Sequence, residues 1–280
     1  MPHPPSGRLL CAHLALLAGL VPAAASGGPG AADGAGRTLT VFAASSLQEP
    51  FARLARLFEA GSGARVQLAC AGSQELRAQI EHGARADVFA SADRRHLDAL
   101  RALGLAREPR SFARNQPVIA VPKGNPAAIR SLADLPRARQ IVVGTPEVPI
   151  GAYTVELLDR ASRTALGADF RARVEKRIVS RELNVRQVLA KVALGEADAA
   201  IVYRTDALAL AGQVESVALP AEVLVLAGYA LASLPGGTEP ALAEEFVRLV
   251  LSEPGQAVLR GAGFEPAPPP PLAPGGGGAR

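Results

Sequence analysis

Tryptophan is absent from the sequence, and aromatic residues of every kind make up only 4% of it. Single-stranded nucleic acid needs rings to stack on, and the basic residues here do not gather into a stripe that could replace them. They alternate with acids, as in "RELNVRQVLAK" (181–191). No nucleic-acid partner is expected. The only lysines are Lys123, Lys176 and Lys191, so the formal charge of +4 (+3 without Arg8) is carried almost wholly by arginine. Spread in this way it is a solvated surface that steers anions weakly.

Cysteine is nearly absent too. Cys11 falls in the N-terminal apolar segment, and its neighbours Leu9 and Leu10 are not the small residues that a lipid-attachment site places before its cysteine. Cys70 is then left alone, which excludes an internal disulfide, and "VQLACAG" suits it to be a small buried hydrophobe. One cysteine with His82 and His96 does not supply a zinc ligand set. Both histidines lie on charged helical stretches and no "GxSxG" elbow occurs, so a serine hydrolase would lack its base. "GTPEVPIG" lacks the Lys-Ser/Thr ending of a phosphate loop. Asp87, Asp93 and Glu147 are not paired by spacing. No catalytic residue is expected.

No apolar run is long enough to span a bilayer, which takes about 20 residues. The run from Leu9 to Val21 follows Arg8 and precedes Ala23-Ala24-Ala25, the layout of an export signal over residues 1–25. Residues 26–37 read as a flexible linker, and "PAPPPPLAPGGGGAR" (266–280) as a tail that cannot order itself. About 230 residues remain for the fold.

Within them, short β-like runs alternate with helical ones. "LTVFAA" (39–44) precedes Phe51, Leu54, Ala55, Leu57 and Phe58 at helical spacing; "RVQLACA" (65–71) precedes "SQELRAQIEHG"; "ADVFASA" (86–92) precedes "DRRHLDALRALG". Gly61, Gly83 and Gly104 mark the helix ends. Three such units imply a parallel sheet with right-handed crossovers. After the extended "QPVIAVPKGNP" a second α/β set follows: "QIVVGTP", a helix from Gly151 to Ala161, another near 168–177, "NVRQVLAKVALGE" and "DAAIVYRTDAL". "VLVLAGYALAS" (223–233) is one more strand, and a helical pattern from Glu239 to Leu259 returns to the first set.

Chemistry is left to the helix starts. Each leaves backbone N–H groups unpaired and carries about half a positive charge, so several on one sheet edge could hold an anion. The candidates are Ser45-Ser46, Gly72-Ser73, Asn184-Val185 and Gly151. A serine at such a place also serves as a cap, and "SLQE" is a capping-box pattern for Ser46 with Glu49, complicated by Pro50.

"VFAASSLQEPFARLARLFE", "CAGSQELRAQIEHGARADVFASAD", "VGTPEVPIGAYTVELL" and "NVRQVLAKVALGEADAAIVYRTDA" together resemble, from about Thr38 to Phe264, the periplasmic molybdate-binding proteins of ABC transporters. The resemblance implies the type II periplasmic binding protein fold: two α/β lobes, each with a mixed, mainly parallel sheet, a cleft between them and two chain crossings. Lobe I would be 38–117 plus 209–265 and lobe II 118–208. It implies an oxyanion, molybdate or tungstate, held by Ser46 and Ser73 from lobe I and by Ile150, Val185 and Tyr203 from lobe II. No cofactor is implied; the metal enters only as the oxyanion. The "PEVPIG" loop is shorter than in many members, which leaves Gly151 as a rival to Ile150. The implied protein is a periplasmic monomer that delivers cargo to a membrane permease. The alternatives are another oxyanion such as sulfate, a ferric ion, a transcriptional effector domain, or an exported hydrolase.

Overall fold

The structure is a computed structural model that describes residues 36–267; the expected signal, most of the linker and the tail from residue 268 lie outside the described residues. Three parallel strands open the chain: β1 (Thr38–Ala44), β2 (Arg65–Ala71) and β3 (Val88–Ser91). Each leads into a helix: α1 (Gln48–Ser62) after one 3-10 turn at Ser45–Leu47, then α2 (Ser73–Glu81) and α3 (Arg95–Ala102). α1 forms where the apolar spacing recurs, and it buries Phe51, Leu54 and Phe58 against the sheet. Its end differs from expectation. Gly61 lies inside the last turn, and Gly63, at φ +72°, stops the helix, a left-handed conformation that glycine adopts without penalty.

The chain adds β4 (Arg110–Asn115) and crosses at Gln116 into a second sheet. That sheet contains β5 (Pro117–Pro122), β6 (Ile141–Gly144), β7 (Ile178–Glu182), β8 (Ala199–Tyr203) and β9 (Val214–Val217), in the order β7-β6-β8-β5-β9. Between the strands run α4 (Pro149–Ala161), α5 (Phe170–Glu175), α6 (Val185–Ala193) and α7 (Arg204–Ala209). Residues 218–226 carry the chain back to β10 (Ala227–Ser233), α8 (Pro240–Leu251), α9 (Glu253–Gly261) and β11 (Glu265–Pro266), which complete the first sheet as β11-β4-β10-β3-β1-β2.

Several boundaries move. The return to the first sheet comes after Val217 rather than at residue 209, because β9 pairs antiparallel with β5. The tail begins one residue late, since Pro266 pairs with Ala113. The single helix expected over 239–259 is two: Ser252 stands in extended backbone and accepts from Gly255 N, and Pro254 suits the first turn of a new helix. Parallel pairing does not predominate. It holds β1–β3 in the first sheet and β6–β8 in the second, and the remaining pairings are antiparallel.

Candidate functional site

In parallel register Ala44 stands opposite Ala71, and Ala43 opposite Ala90. The carboxyl ends of β1, β2 and β3 therefore reach one edge, and the residues just past them are Ser45-Ser46, Gly72-Ser73 and Ala92. In the second sheet β6 pairs in parallel with β7 and β8, with Gly144 opposite Glu182. Their carboxyl ends lead to Val148-Pro149-Ile150, Asn184-Val185 and Tyr203. The two edges face each other across one buried cavity lined by all of these residues and Ala44. Its volume is about 10 Å3, against about 300 Å3 or more for sites that hold drug-sized ligands. That is room for about one water molecule.

The cavity joins Ser46, Ser73, Ile150, Val185 and Tyr203, five residues far apart in the chain. Gly151 does not line it. A Cβ there would lie 1.9 Å from the Thr145 carbonyl oxygen, so glycine is required for α4 to start against the end of β6. Gly72 meets a comparable limit across the cleft, where a Cβ would come within 2.4 Å of the Leu183 carbonyl oxygen. The lobes are thus in backbone contact beside the cavity, and Gln74 Nε2 donates to the same oxygen at 2.6 Å.

The lining is a set of donors. Ser73, Ile150 and Val185 sit in the first turns of α2, α4 and α6, where N–H groups have no partner within the helix. Ser73 Oγ already accepts from Ala92 N at 3.2 Å, which leaves its own proton for the cavity. Tyr203 Oη is buried with no hydrogen-bond partner among the described residues. Burial, then the neighbouring Tyr229, Tyr153, Asp93 and Asp206, pushes its pKa well above the usual phenol value, so it remains an O–H donor. No arginine or lysine lines the cavity. Arg53, Arg186 and Arg260 border a different hollow of about 460 Å3, where Arg186 pairs with Glu49.

The capping reading of the first junction is corrected. Neither Ser45 nor Ser46 makes a side-chain cap bond, and α1 begins beyond them at Gln48. Glu49 turns away to Arg186 across the cleft, and Pro50 falls in the first turn, where it is tolerated. Ser46 Oγ instead lies 2.9 Å from Tyr229 Oη. At the second junction Glu75 accepts from Gly72 N at 2.8 Å, so its charge is engaged at the helix start. Asn184 caps α6 by accepting from Gln187 N at 3.1 Å, and the cavity is left with the Val185 amide.

Sequence reasoning missed Tyr229 and Tyr153. The three tyrosines of the chain form one cluster, with ring centroids 6.4 Å apart for Tyr153–Tyr203 and 5.7 Å for Tyr203–Tyr229. They are distant in sequence, and no spacing signals that they meet. Ala92 was within reach, since it follows β3 as Ser73 follows β2. Asp87, unassigned by spacing, is structural: it accepts from Thr40 N and Glu239 N, each at 2.7 Å.

Residues 39–265 match the family described as bacterial extracellular solute-binding protein. The molybdate-binding protein ModA of Mycobacterium tuberculosis is 42% identical over 258 residues, covering 89% of this chain and 94% of that one. The periplasmic molybdate-binding protein of Azotobacter vinelandii superposes with a TM-score of 0.71 at 23% identity, over 82% of this chain and 99% of its own. The sulfate-binding protein SubI of M. tuberculosis gives 0.73 at 20% identity, over 83% and 88%. At those identities the two structures speak for the bilobed fold alone. With two mixed sheets, two crossings and a cleft where six strand ends converge, the chain has the type II periplasmic binding protein fold; it belongs to the bacterial extracellular solute-binding proteins and, among them, to the ModA proteins.

Proposed function

We propose that this protein is the extracytoplasmic receptor of an ABC importer and that its cargo is molybdate or tungstate. The observation that carries the reading is the lining of the cavity: the hydroxyl residues Ser45, Ser46, Ser73 and Tyr203 and first-turn amides, all groups able to donate, with no basic side chain among them. Charge-assisted hydrogen bonds are about twice as strong as neutral ones, so such a ring holds a fully deprotonated dianion without a salt bridge. A protonated oxyanion adds a donor that only a hydroxyl oxygen of the ring could accept, and where none turns to it the unsatisfied buried group costs about 1–3 kcal/mol. The family includes the 42% identical ModA protein named for molybdate, which supports the same cargo.

Sulfate is the second reading. It is also a tetrahedral dianion, and the fold is shared with a sulfate-binding protein. Ferric ion is disfavoured although the three tyrosines cluster, because their burial holds the phenols protonated. Catalysis is disfavoured as well: the side-chain partner of Ser46 Oγ is a phenol, and that of Ser73 Oγ is a backbone amide, neither of them a base. The receptor acts as a monomer without a cofactor, and its closed form is read by a membrane permease whose cytoplasmic partner hydrolyses ATP.

A thermal-shift series tests the cargo. Ligand at 100 times its dissociation constant adds about 2.7 kcal/mol of stability. Molybdate and tungstate are expected to raise the melting temperature, and phosphate to leave it unchanged. A rise with sulfate and none with either metal oxyanion overturns the assignment in favour of sulfate.

A further inference from the structure

Ser46 stands apart from the other donors because its oxygen shares a hydrogen bond with a second hydroxyl, Tyr229 Oη, at 2.9 Å. Which oxygen gives the proton decides what Ser46 offers the cavity. Tyr229, on β10, is fully buried. Its ring is wedged edge-on against Phe264, Phe112 and Tyr203 at centroid distances of 5.2, 6.1 and 5.7 Å, so the hydroxyl has one position. Burial and the Asp206 charge keep the phenol protonated. The other polar side chain beside that oxygen is Asn115. Asn115 Oδ1 is occupied by Gln116 N at 3.0 Å, and Asn115 Nδ2, a donor, gives to Thr205 Oγ1 at 2.8 Å. Among the described residues the hydrogen bond that Tyr229 Oη makes is to Ser46 Oγ, whereas Asn115 Oδ1 is already shared with Gln116 N. If Ser46 donated instead, a buried O–H would go unpaired at a cost of about 1–3 kcal/mol.

We propose that Tyr229 is a positioning residue for the oxyanion: its phenol donates to Ser46 Oγ, so the Ser46 hydroxyl proton is turned into the cavity as a committed donor. The proposal rests on the oxyanion reading of this cavity. It adds a residue that does not touch the ion, and it gives Tyr229 for Ser46 the role that the Ala92 amide has for Ser73. In each case the oxygen's accepting side is occupied and only the proton faces the ion. A hydroxyl free to rotate could accept from a protonated anion; one held in this way rejects it. Tyr229 thereby acts on specificity as well as on affinity.

The test is a double-mutant cycle on the whole secreted protein, read by titration calorimetry with molybdate and with hydrogen phosphate. The variants are Tyr229→Phe, Ser46→Ala and the pair. Tyr229→Phe keeps the ring and is expected to weaken molybdate about tenfold, which corresponds to about 1.4 kcal/mol. It is also expected to narrow the molybdate-to-phosphate ratio. On the Ser46→Ala background the same change should do nothing further, since the effect passes through that hydroxyl. Equal losses on both backgrounds, or an unchanged ratio, mean that Tyr229 only packs, and they overturn the proposal. A wild-type protein that binds no tetrahedral oxyanion fails the cargo reading instead. Should Tyr229→Phe not fold, neutron diffraction on the unmodified protein still decides: a deuteron on Tyr229 Oη directed at Ser46 Oγ supports the relay, and one on Ser46 directed at Tyr229 ends it.

Discussion

At the scale of single residues, each side-chain donor of the proposed site is held by something other than the ion it would bind. Ser73 is fixed by the Ala92 amide, and Tyr203 by the Tyr153 and Tyr229 rings. On the proposed reading Ser73→Ala deletes a hydrogen bond to a charged group, worth about 1.5–3 kcal/mol, and should raise the molybdate dissociation constant roughly ten- to a hundredfold. Ser62→Ala is the matched control. Its hydroxyl bonds to Phe58 O at 2.8 Å, at the end of α1, and calorimetry should find its affinity unchanged. Comparable losses in both would show that serines matter here through folding. Ser46 and Ser73 could be picked out of the sequence because a strand-end serine before a helix is a local pattern. Tyr229 could not, since it meets Ser46 across 183 positions of chain, and only the folded sheet brings them together.

At the scale of elements, the cleft depends on helices that begin hard against strand ends. α4 is the strictest case: the hydrogen of Gly151 occupies the space where a Cβ would strike Thr145 O at 1.9 Å. The obstacle is backbone and cannot rotate away. Gly151→Ala should therefore displace the first turn of α4, and with it the Ile150 amide. The cost is expected at about 1–3 kcal/mol, as for other overpacked sites, read as a lower melting temperature together with weaker molybdate binding. Full stability and affinity would mean that the loop yields freely. The β–α units of both lobes were legible because short continuous apolar runs gave way to period 3.6. β4, β7 and β9 were not. They are short and polar, as in "RSFARN", "IVSRE" and "VESV", and β7 and β9 are edge strands of the second sheet. Their pairing partners, rather than their own side chains, make them strands.

At the scale of the whole molecule, charge bridges the two lobes behind the cavity. Arg186 on α6 pairs with Glu49 on α1, and its Nε also lies 3.1 Å from Asp206 Oδ1. That second contact is an ion pair by distance only, since neither carboxylate oxygen of Asp206 makes a side-chain hydrogen bond. Asp206 is fully buried, and burial pushes its pKa from 3.8 up to about 7, opposed by Arg186 and reinforced by Glu49. The folded protein therefore holds a proton there that the unfolded chain has released between those two values. Where the folded state binds more protons, stability falls as pH rises. Asp206 thus costs nothing below pH 3.8, and its full penalty is reached just above 7. At 1.36 kcal/mol per unit this amounts to about 4 kcal/mol across the window. Asp206→Asn keeps the shape and removes the titration. In denaturant unfolding from pH 4 to pH 8, the stability of the variant relative to wild type should climb through that window and level off above it. A difference that stays flat with pH would mean that Arg186 keeps Asp206 ionised throughout, making the pair a permanent contact within the second lobe.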